Sequence, residues 1–229
     1  MGKKRTEIRS KRLRMVPKTT EEMRTVIERE TDEELKQAYS EMLEGMEQHP
    51  DDWIWYTDWN IYLKKEDTLV GGIGFKGPAN EKCEVEIGYE INADYRRQGY
   101  GLEAVEALIG WAFQNEIIFY VMAETTPDND KSQGLLKKAG FTETGTQGEE
   151  GPRFEKERPK SNYMTFYMSI GMCLGMSLGL SLFKNVATGL CVGMGIGVLL
   201  GSGMDSKENR RRKEIAEKRS GESQENSDE

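Results

Sequence analysis

The sequence predicts an α/β domain followed by a helical hairpin of nearly uncharged residues. The strand-like segment Cys83–Ile91 leads through a glycine-containing turn into the helix-like segment Leu102–Gln114. A second strand–helix pair follows, in which the apolar run Ile117–Glu124 precedes a helix expected to begin at Asn129. Residues 163–204 then contain one charged side chain in two apolar runs, which is typical of helices that enter an apolar medium.

The segments ahead of this turn are expected to supply further strands and two helices. Arg12–Val16 is a short predicted strand, and Thr19 and Thr31 each open a T-x-E-E stretch of the kind that begins a helix. The run Trp53–Leu63 is rich in aromatic and β-branched residues, so it predicts a strand paired as a hairpin with Asp67–Phe75. The tryptophans of this run are expected in the core rather than in a substrate cleft.

The turn between the first strand and its helix carries Arg96, Gly99 and Gly101 in an R-x-x-G-x-G spacing. A turn that opens directly into a helix presents several backbone N–H groups, and the helix dipole adds positive potential, so the site suits a pyrophosphate. Glycine lets the phosphates approach the backbone closely. An ordinary strand-to-helix turn can carry the same short pattern, so the spacing alone leaves the ligand open.

Four short motifs follow one another in a fixed order between residues 86 and 141. They are E-I-G-Y at Glu86–Tyr89, R-R-Q-G-Y-G-x-E-A at Arg96–Ala104, N-x-x-S at Asn129 and Ser132, and K-x-G-F at Lys138–Phe141. This order resembles the GNAT family of acyl-CoA-dependent N-acetyltransferases, and in particular the branch that includes the ribosomal-protein N-terminal acetyltransferases. The resemblance covers roughly residues 11–158. It implies a GNAT fold, with a mixed, mostly antiparallel sheet flanked by helices, and acetyl-CoA as co-substrate without a metal.

The resemblance also implies where the cofactor binds. The expected pyrophosphate contacts come from the Arg96 loop, chiefly from the backbone N–H groups of Gln98, Gly99, Tyr100, Gly101 and Leu102. Asn129 and Ser132 match positions that contact the cofactor or hold the second helix near it, and Asn129 can cap that helix as well. The strand Glu86–Ile91 is expected to part from Phe119–Ala123, so that the pantetheine arm lies between them. Acceptor specificity is expected between Glu44 and Trp55.

Glu86 is the candidate general base. Glu84, Glu86 and Glu90 alternate on one face of the predicted strand, and Glu86 lies nearest the expected parting of the strands. A partly covered carboxylate there can accept a proton from an ammonium group, directly or through water. An ion pair with a neighbouring strand is the alternative role for Glu86. Leu136 occupies the position at which many family members carry a tyrosine acid, so no general acid is assigned.

Two functions therefore remain open at this stage. One is an N-acetyltransferase that acts on a primary amine of a protein or small molecule. The other is a non-catalytic acyl-CoA-binding module whose C-terminal segment drives self-association. The resemblance does not separate them, because both bind the cofactor.

The C-terminal segment predicts a glycine-zipper helical hairpin. Glycines recur at every fourth position, at Gly171, Gly175 and Gly179 and again at Gly189, Gly193, Gly197 and Gly201. On helices these glycines line one face and allow close packing, as in membrane helix pairs. Lys156, Arg158, Lys160, Lys207 and Arg210–Lys213 flank the outer ends, which favours two transmembrane helices with both ends and the enzyme domain in the cytoplasm. A soluble zipper that forms a homo-oligomer is the alternative.

The remaining composition sets limits on partners. The net charge of −8 and pI of about 5.1 argue against general nucleic-acid binding. Cys83, Cys173 and Cys191 have no metal-ligand spacing, and His49 is expected in a loop. Gly2 lies in a short myristoylation pattern; the alternatives are a solvated basic tail and a basic tail that lies against an anionic membrane surface. The predicted organisation is a basic tail at 1–10, a GNAT domain at 11–158, a linker at 159–162, the glycine-rich hairpin at 163–204 and a charged, partly disordered tail at 205–229.

Overall fold

The computed structural model describes residues 6–225, apart from the side chains at 182–183 and 221–225. The chain divides into two compact units, with the boundary between Arg158 and Pro159. The lipidation pattern at Gly2, the first half of the basic tail and the last four residues lie outside the described residues.

The N-terminal unit is a mixed sheet of eight strands flanked by four helices. Its elements are β1 Ile8–Arg9, β2 Leu13–Pro17, α1 Thr20–Arg29, α2 Glu33–Gln48, β3 Asp58–Leu63, β4 Leu69–Phe75, β5 Glu84–Ile91, α3 Tyr100–Ala112, β6 Tyr120–Glu124, α4 Asp130–Lys138, β7 Thr142–Gln147 and β8 Pro152–Glu157. The strands stand in the order β1-β2-β3-β4-β5-β6-β8-β7. Among these strands β5 and β6 pair in parallel, and the other neighbours are antiparallel. The predicted mixed, mostly antiparallel α/β fold is confirmed.

The core of this unit lies between one face of the sheet and α3. Alternate residues of the central strands are buried, including Trp59, Ile73 and Ile87, as expected for strands covered on that face. α3 contributes Ala104 and Leu108, one helical turn apart, to the same cluster. The packing therefore holds α3 against the sheet, with its first residue close after the end of β5.

The strand predicted over Trp53–Leu63 is wrong in its first half. Trp53–Trp55 forms a 3₁₀ turn, and β3 begins only at Asp58. Aromatic residues favour strands, but here the ring of Trp55 lies 5.0 Å from that of Trp111, centroid to centroid, and the Trp59 indole N–H donates to the Ile54 carbonyl oxygen at 3.3 Å. Packing and this side-chain bond outweigh local propensity. Trp55 and Trp59 are buried in the core as expected, whereas Trp53 is only partly buried.

The C-terminal unit is a pair of helices that approach each other through glycine. α5 spans Tyr163–Leu178, a π-helical turn follows at Gly179–Phe183, and α6 spans Val186–Glu225. A Cβ atom added at Gly175 would lie 2.2 Å from the carbonyl oxygen of Gly189, and one at Gly193 would lie 2.0 Å from that of Gly171. Only glycine allows the backbones to lie this close.

α6 continues well past the predicted end of the hairpin at residue 204. The helix takes in most of the predicted charged tail, as far as Glu225, and the last four residues of that tail lie outside the described structure. The Arg212 guanidinium lies 2.7 Å from the Glu208 carboxylate one turn earlier, and it also donates to the Pro159 carbonyl oxygen at 3.0 Å. Pairs at this spacing, together with helix-forming Lys, Arg and Glu, stabilise an exposed helix.

Both helices of the C-terminal unit are long and apolar enough to cross a membrane, judged by length and composition. They are Tyr163–Ser181, in which the 18-residue stretch that meets the criterion has a mean hydropathy of 1.3, and Val186–Ser220, in which such a stretch has a mean hydropathy of 1.7.

Candidate functional site

The strands β5 and β6 separate halfway along β5. Their parallel pairing runs from Glu84 opposite Tyr120 to Glu86 opposite Met122. On its other side β5 stays paired with β4 as far as Ile91. The second half of β5 thus has a backbone edge that β6 does not cover in the part of the chain described, and an extended ligand can add to such an edge.

The first turn of α3 presents backbone donors beside this edge. Gly99 is the N-cap, with a φ of 80° in the left-handed region, and no side chain caps the helix within the described structure. The N–H groups of Tyr100, Gly101 and Leu102 belong to the first turn of a helix, which has no intrahelical acceptor for them. The positive end of the helix dipole adds to their attraction for an anion. Glycine is required at position 99 because L side chains rarely adopt this conformation.

The loop, the edge of β5 and α4 enclose a cleft of about 730 Å³. The sequence-predicted residues that line it are Arg96, Gly99, Tyr100, Gly101, Leu102, Asn129 and Ser132. Gln98 and Glu86 do not line it. Sequence reasoning did not assign Lys131 and Lys138 of α4 to the cleft, where they add positive charge beside the acidic Asp130 and Glu90. Their spacing of seven residues places them on one helical face with Leu135, and that periodicity was the available signal.

Hydrogen bonds fix α4 against β5 at the cleft. The Asn129 side-chain oxygen accepts from the Ser132 backbone N–H at 3.1 Å, so Asn129 caps α4. The Ser132 and Tyr89 hydroxyl oxygens lie 2.8 Å apart. Burial raises the pKa of Tyr89, and the hydrogen bond with Ser132 opposes this only in part, so the phenol stays protonated at neutral pH.

Gly101 allows α3 and α4 to approach each other. A Cβ atom at this position would lie 2.9 Å from Leu135 Cδ1 and 3.4 Å from Ile91 Cγ1. Leu135 and Ile91 both line the cleft. A side chain here would therefore disturb the wall of the cleft as well as crowd the backbone.

Arg96 stabilises the turn that leads into this helix. Its Nε atom donates to the Ile91 carbonyl oxygen at 2.7 Å, and its Nη2 atom lies 3.6 Å from the Glu90 carboxylate. The guanidinium thus closes the connection between β5 and α3, while its side chain remains more than half exposed at the cleft.

Glu86 forms an ion pair with a lysine and does not line the cleft. Its carboxylate lies 2.6 Å from the Lys76 amine, which also lies 2.8 Å from Glu150. Burial lowers the pKa of Lys76, but hydrogen bonds with Glu150 and Glu86 outweigh it, and the net pKa is raised. The ion pair foreseen as the alternative role of Glu86 is therefore present. Glu86 also belongs to the last β5–β6 pair before the strands separate.

His49 and Leu136, which were also considered as functional residues, do not line the cleft. His49 stacks on Tyr56 with ring centroids 4.9 Å apart, and Leu136 is fully buried. Within residues 6–225, no group of three or more His, Cys, Asp or Glu side chains is arranged to hold a metal ion.

The separated central strands and the glycine-capped helix beside the gap agree with the fold that the resemblance implies. A family model described as the acetyltransferase (GNAT) domain matches residues 11–142, more than half of the chain. The protein belongs to this family, and the predicted resemblance is confirmed.

Among relatives, the chain is 40% identical over 86 residues to the uncharacterized N-acetyltransferase YjdG of Bacillus subtilis (strain 168). The match covers 38% of this chain and 51% of that protein, so the chain spans about half the length of the curated relatives it matches.

Solved structures share the fold. A putative ribosomal-protein-serine acetyltransferase from Vibrio cholerae superposes with a TM-score of 0.52 at 20% identity, covering 67% of this chain and 98% of the other. RimL, a ribosomal L7/L12 alpha-N-protein acetyltransferase in complex with coenzyme A, superposes with a TM-score of 0.53 at 13% identity, covering 66% and 98%. At these identities the likeness concerns the fold alone.

Proposed function

We propose that this protein is an N-acetyltransferase that transfers acetyl from acetyl-CoA to a primary amine. The observation that carries the proposal is that one cleft joins the glycine-capped start of α3 to the unpaired edge of β5. The first feature suits a diphosphate, and the second suits the amide groups of an extended pantetheine arm. Family membership favours the same ligand.

The direction of the arm follows from these two anchors. A diphosphate at Gly99–Leu102 places the pantetheine along the second half of β5, from Ile91 back toward Glu86. The thioester then lies where the strands separate. Holding the thioester there supports attack by an amine because the two reactants need only a small adjustment to reach bonding distance.

The chemical step requires a neutral amine. A base removes a proton from the ammonium, the nitrogen attacks the thioester carbonyl, the new C–N bond forms and the C–S bond of the tetrahedral intermediate breaks. As the C–S bond breaks, the nitrogen gives up its second proton to water, and the CoA thiolate that leaves takes up a proton from the solvent. We assign the base to Glu86, acting directly or through water, because it lies at the gap. No side chain is assigned as the acid.

A second function has specific support. Glu86 is paired with Lys76, and buried Leu136 replaces the tyrosine acid, which favours a module that binds acyl-CoA without turnover. The test is a screen of amine acceptors with acetyl-CoA, in which release of free CoA thiol is measured. Steady release above the rate without acceptor supports the enzyme. Tight binding of acetyl-CoA with no release for protein N-termini, lysine, aminoglycosides or polyamines would favour the binding module instead.

We further propose that residues 163–204 anchor the enzyme domain to the cytoplasmic face of the cell membrane as two transmembrane helices. Phe166, Leu174 and Leu199 have exposed fractions of 60%, 61% and 74%, although they are large and apolar. Such a surface suits lipid better than water. The glycine faces contact each other within one chain, so the glycine-zipper pairing proposed here is intramolecular and does not require a homo-oligomer.

The anchor is tested by fractionation. The full chain is expected to sediment with membranes and to resist a carbonate wash. A chain ending at Pro159 should be soluble and keep its affinity for acetyl-CoA, because the cleft lies within the N-terminal unit. Recovery of the full chain in the soluble fraction without detergent would contradict the anchor and favour a soluble, self-associating zipper.

A further inference from the structure

Arg12, just ahead of β2, makes four contacts with the start of α3. Its Nε atom lies 2.6 Å from Glu103 Oε2, and its backbone N–H donates to Glu103 Oε1 at 2.5 Å. Its Nη1 atom donates to the Gln98 carbonyl oxygen at 3.0 Å, and its guanidinium lies over the Tyr100 ring, 4.5 Å from the centroid. One side chain thus contacts both the loop and the first turn of the helix.

The contact between Arg12 and Glu103 reduces a repulsion between the Glu103 carboxylate and a bound diphosphate. Glu103 lies one residue beyond the three first-turn N–H groups that form the proposed diphosphate site. Burial opposes its ionisation, but hydrogen bonds from the Arg12 backbone, the Ser10 hydroxyl and the Arg12 guanidinium outweigh it, and the pKa of Glu103 is lowered. Glu103 is therefore charged at neutral pH and would repel a diphosphate. The adjacent guanidinium offsets that charge.

The contact with Gln98 sets the direction of a backbone donor. In a trans peptide, the carbonyl of Gln98 and the N–H of Gly99 point in opposite directions. Holding the Gln98 carbonyl against Arg12 therefore turns the Gly99 N–H away from Arg12. Gly99 lines the cleft.

We propose that Arg12 is a positioning residue for the diphosphate of CoA, which orients the Gln98–Gly99 peptide and offsets the charge of Glu103. The inference rests on the proposed function, because it takes the start of α3 as the diphosphate site. Arg12 acts through the loop, and its role is distinct from the part that Arg96 plays at the end of β5.

The test compares two ligands and three variants of the full chain. CoA and pantetheine, which lacks the diphosphate, are titrated by calorimetry against wild type, Arg12→Ala, Arg12→Lys and Arg14→Ala. Arg14 is a matched control, because it also pairs with a carboxylate, Asp67, and lies over a tyrosine ring, Tyr62, at 4.7 Å. Unfolding temperatures of all four proteins check the fold.

Arg12→Ala is expected to weaken CoA binding on the order of tenfold or more, as for loss of a charge-assisted hydrogen bond, and to leave pantetheine binding unchanged. Arg12→Lys keeps the charge but cannot serve Glu103 and Gln98 together, so its affinity should fall between those of wild type and Arg12→Ala. Arg14→Ala should bind both ligands normally. Unchanged CoA affinity in Arg12→Ala, or an equal loss for both ligands, would overturn the inference. Failure of wild type to bind CoA would instead overturn the proposed function.

Discussion

The glycine at the second position of α3 offers a sharp test of the cofactor cleft. Gly101→Ala adds one methyl group 2.9 Å from Leu135 Cδ1, at a residue that lines the cleft. Gly110→Ala makes the same chemical change nine residues later in the same helix, where nothing lies within 4 Å of the new atom. The pair separates the effect of the contact from the general effect of alanine on a helix.

The two variants are expected to change the free energy of unfolding in opposite directions. Alanine in place of glycine in a helix interior stabilises by about 0.5–1 kcal/mol, so Gly110→Ala should raise the free energy of unfolding by that amount. At Gly101 the methyl group forces Leu135 to move, and overpacking of this kind costs about 1–3 kcal/mol. The end of a leucine side chain is flexible, so we expect the lower part of that range. A larger residue such as glutamate at buried Gly101 would disturb the fold itself, and alanine is therefore the better probe.

The assay is calorimetric titration with acetyl-CoA together with thermal unfolding. Gly101→Ala should lose about tenfold in affinity, because the displaced Leu135 narrows the cleft and a tenfold change corresponds to about 1.4 kcal/mol. Gly110→Ala should keep wild-type affinity and unfold at a higher temperature. Equal affinities for the two variants would refute the assignment of this cleft to the cofactor.

Three further predictions concern the base, the hairpin and pH. Glu86→Gln should lower turnover by about 10²-fold with little change in acetyl-CoA affinity. Glu84→Gln, on the same face of β5, should keep nearly normal turnover. Normal turnover in Glu86→Gln would show that Glu86 is not the base and serves only as a structural ion-pair partner. Gly175→Leu should lower the unfolding temperature of the hairpin in detergent, whereas Gly195→Leu should not, because nothing lies within 4 Å of a Cβ there; equal effects would contradict the helix pairing. The folded pKa of Glu103 is lowered, so its ionised form stabilises the fold above the unfolded carboxyl pKa of about 4.3. That contribution is lost as pH falls through the folded pKa, and Glu103→Gln should flatten the loss of unfolding temperature over this acid range.

The features that sequence predicts best are those that a local pattern encodes. The β5–α3 connection is predictable because a strand, a left-handed glycine and a helix start occur within a few residues of one another. The glycine contacts of the hairpin are predictable for a similar reason, since a four-residue repeat places glycines on one helical face. In both cases the conformation depends mainly on neighbouring residues.

Features that depend on partners distant in the chain cannot be predicted from a local sequence pattern. β7 has mostly exposed polar residues, T-E-T-G-T-Q, and only its pairing with β8 makes it a strand. The 3₁₀ turn at Trp53–Trp55 depends on packing against Trp111. The contact between Arg12 and Glu103 joins residues 91 positions apart, and no local pattern marks it.

Glu86 can act as a general base only if its carboxylate can separate from the Lys76 amine when the acceptor binds. Lys76 has two acidic partners at similar distances, Glu86 at 2.6 Å and Glu150 at 2.8 Å. When an ammonium acceptor approaches Glu86, Lys76 can stay paired with Glu150, so release of Glu86 leaves no unpaired charge. Removing one member of an isolated buried pair is costly because it leaves the other charge unpaired, whereas a shared, partly exposed lysine avoids most of that penalty. The ion pair is therefore compatible with a base that changes partners when the acceptor binds.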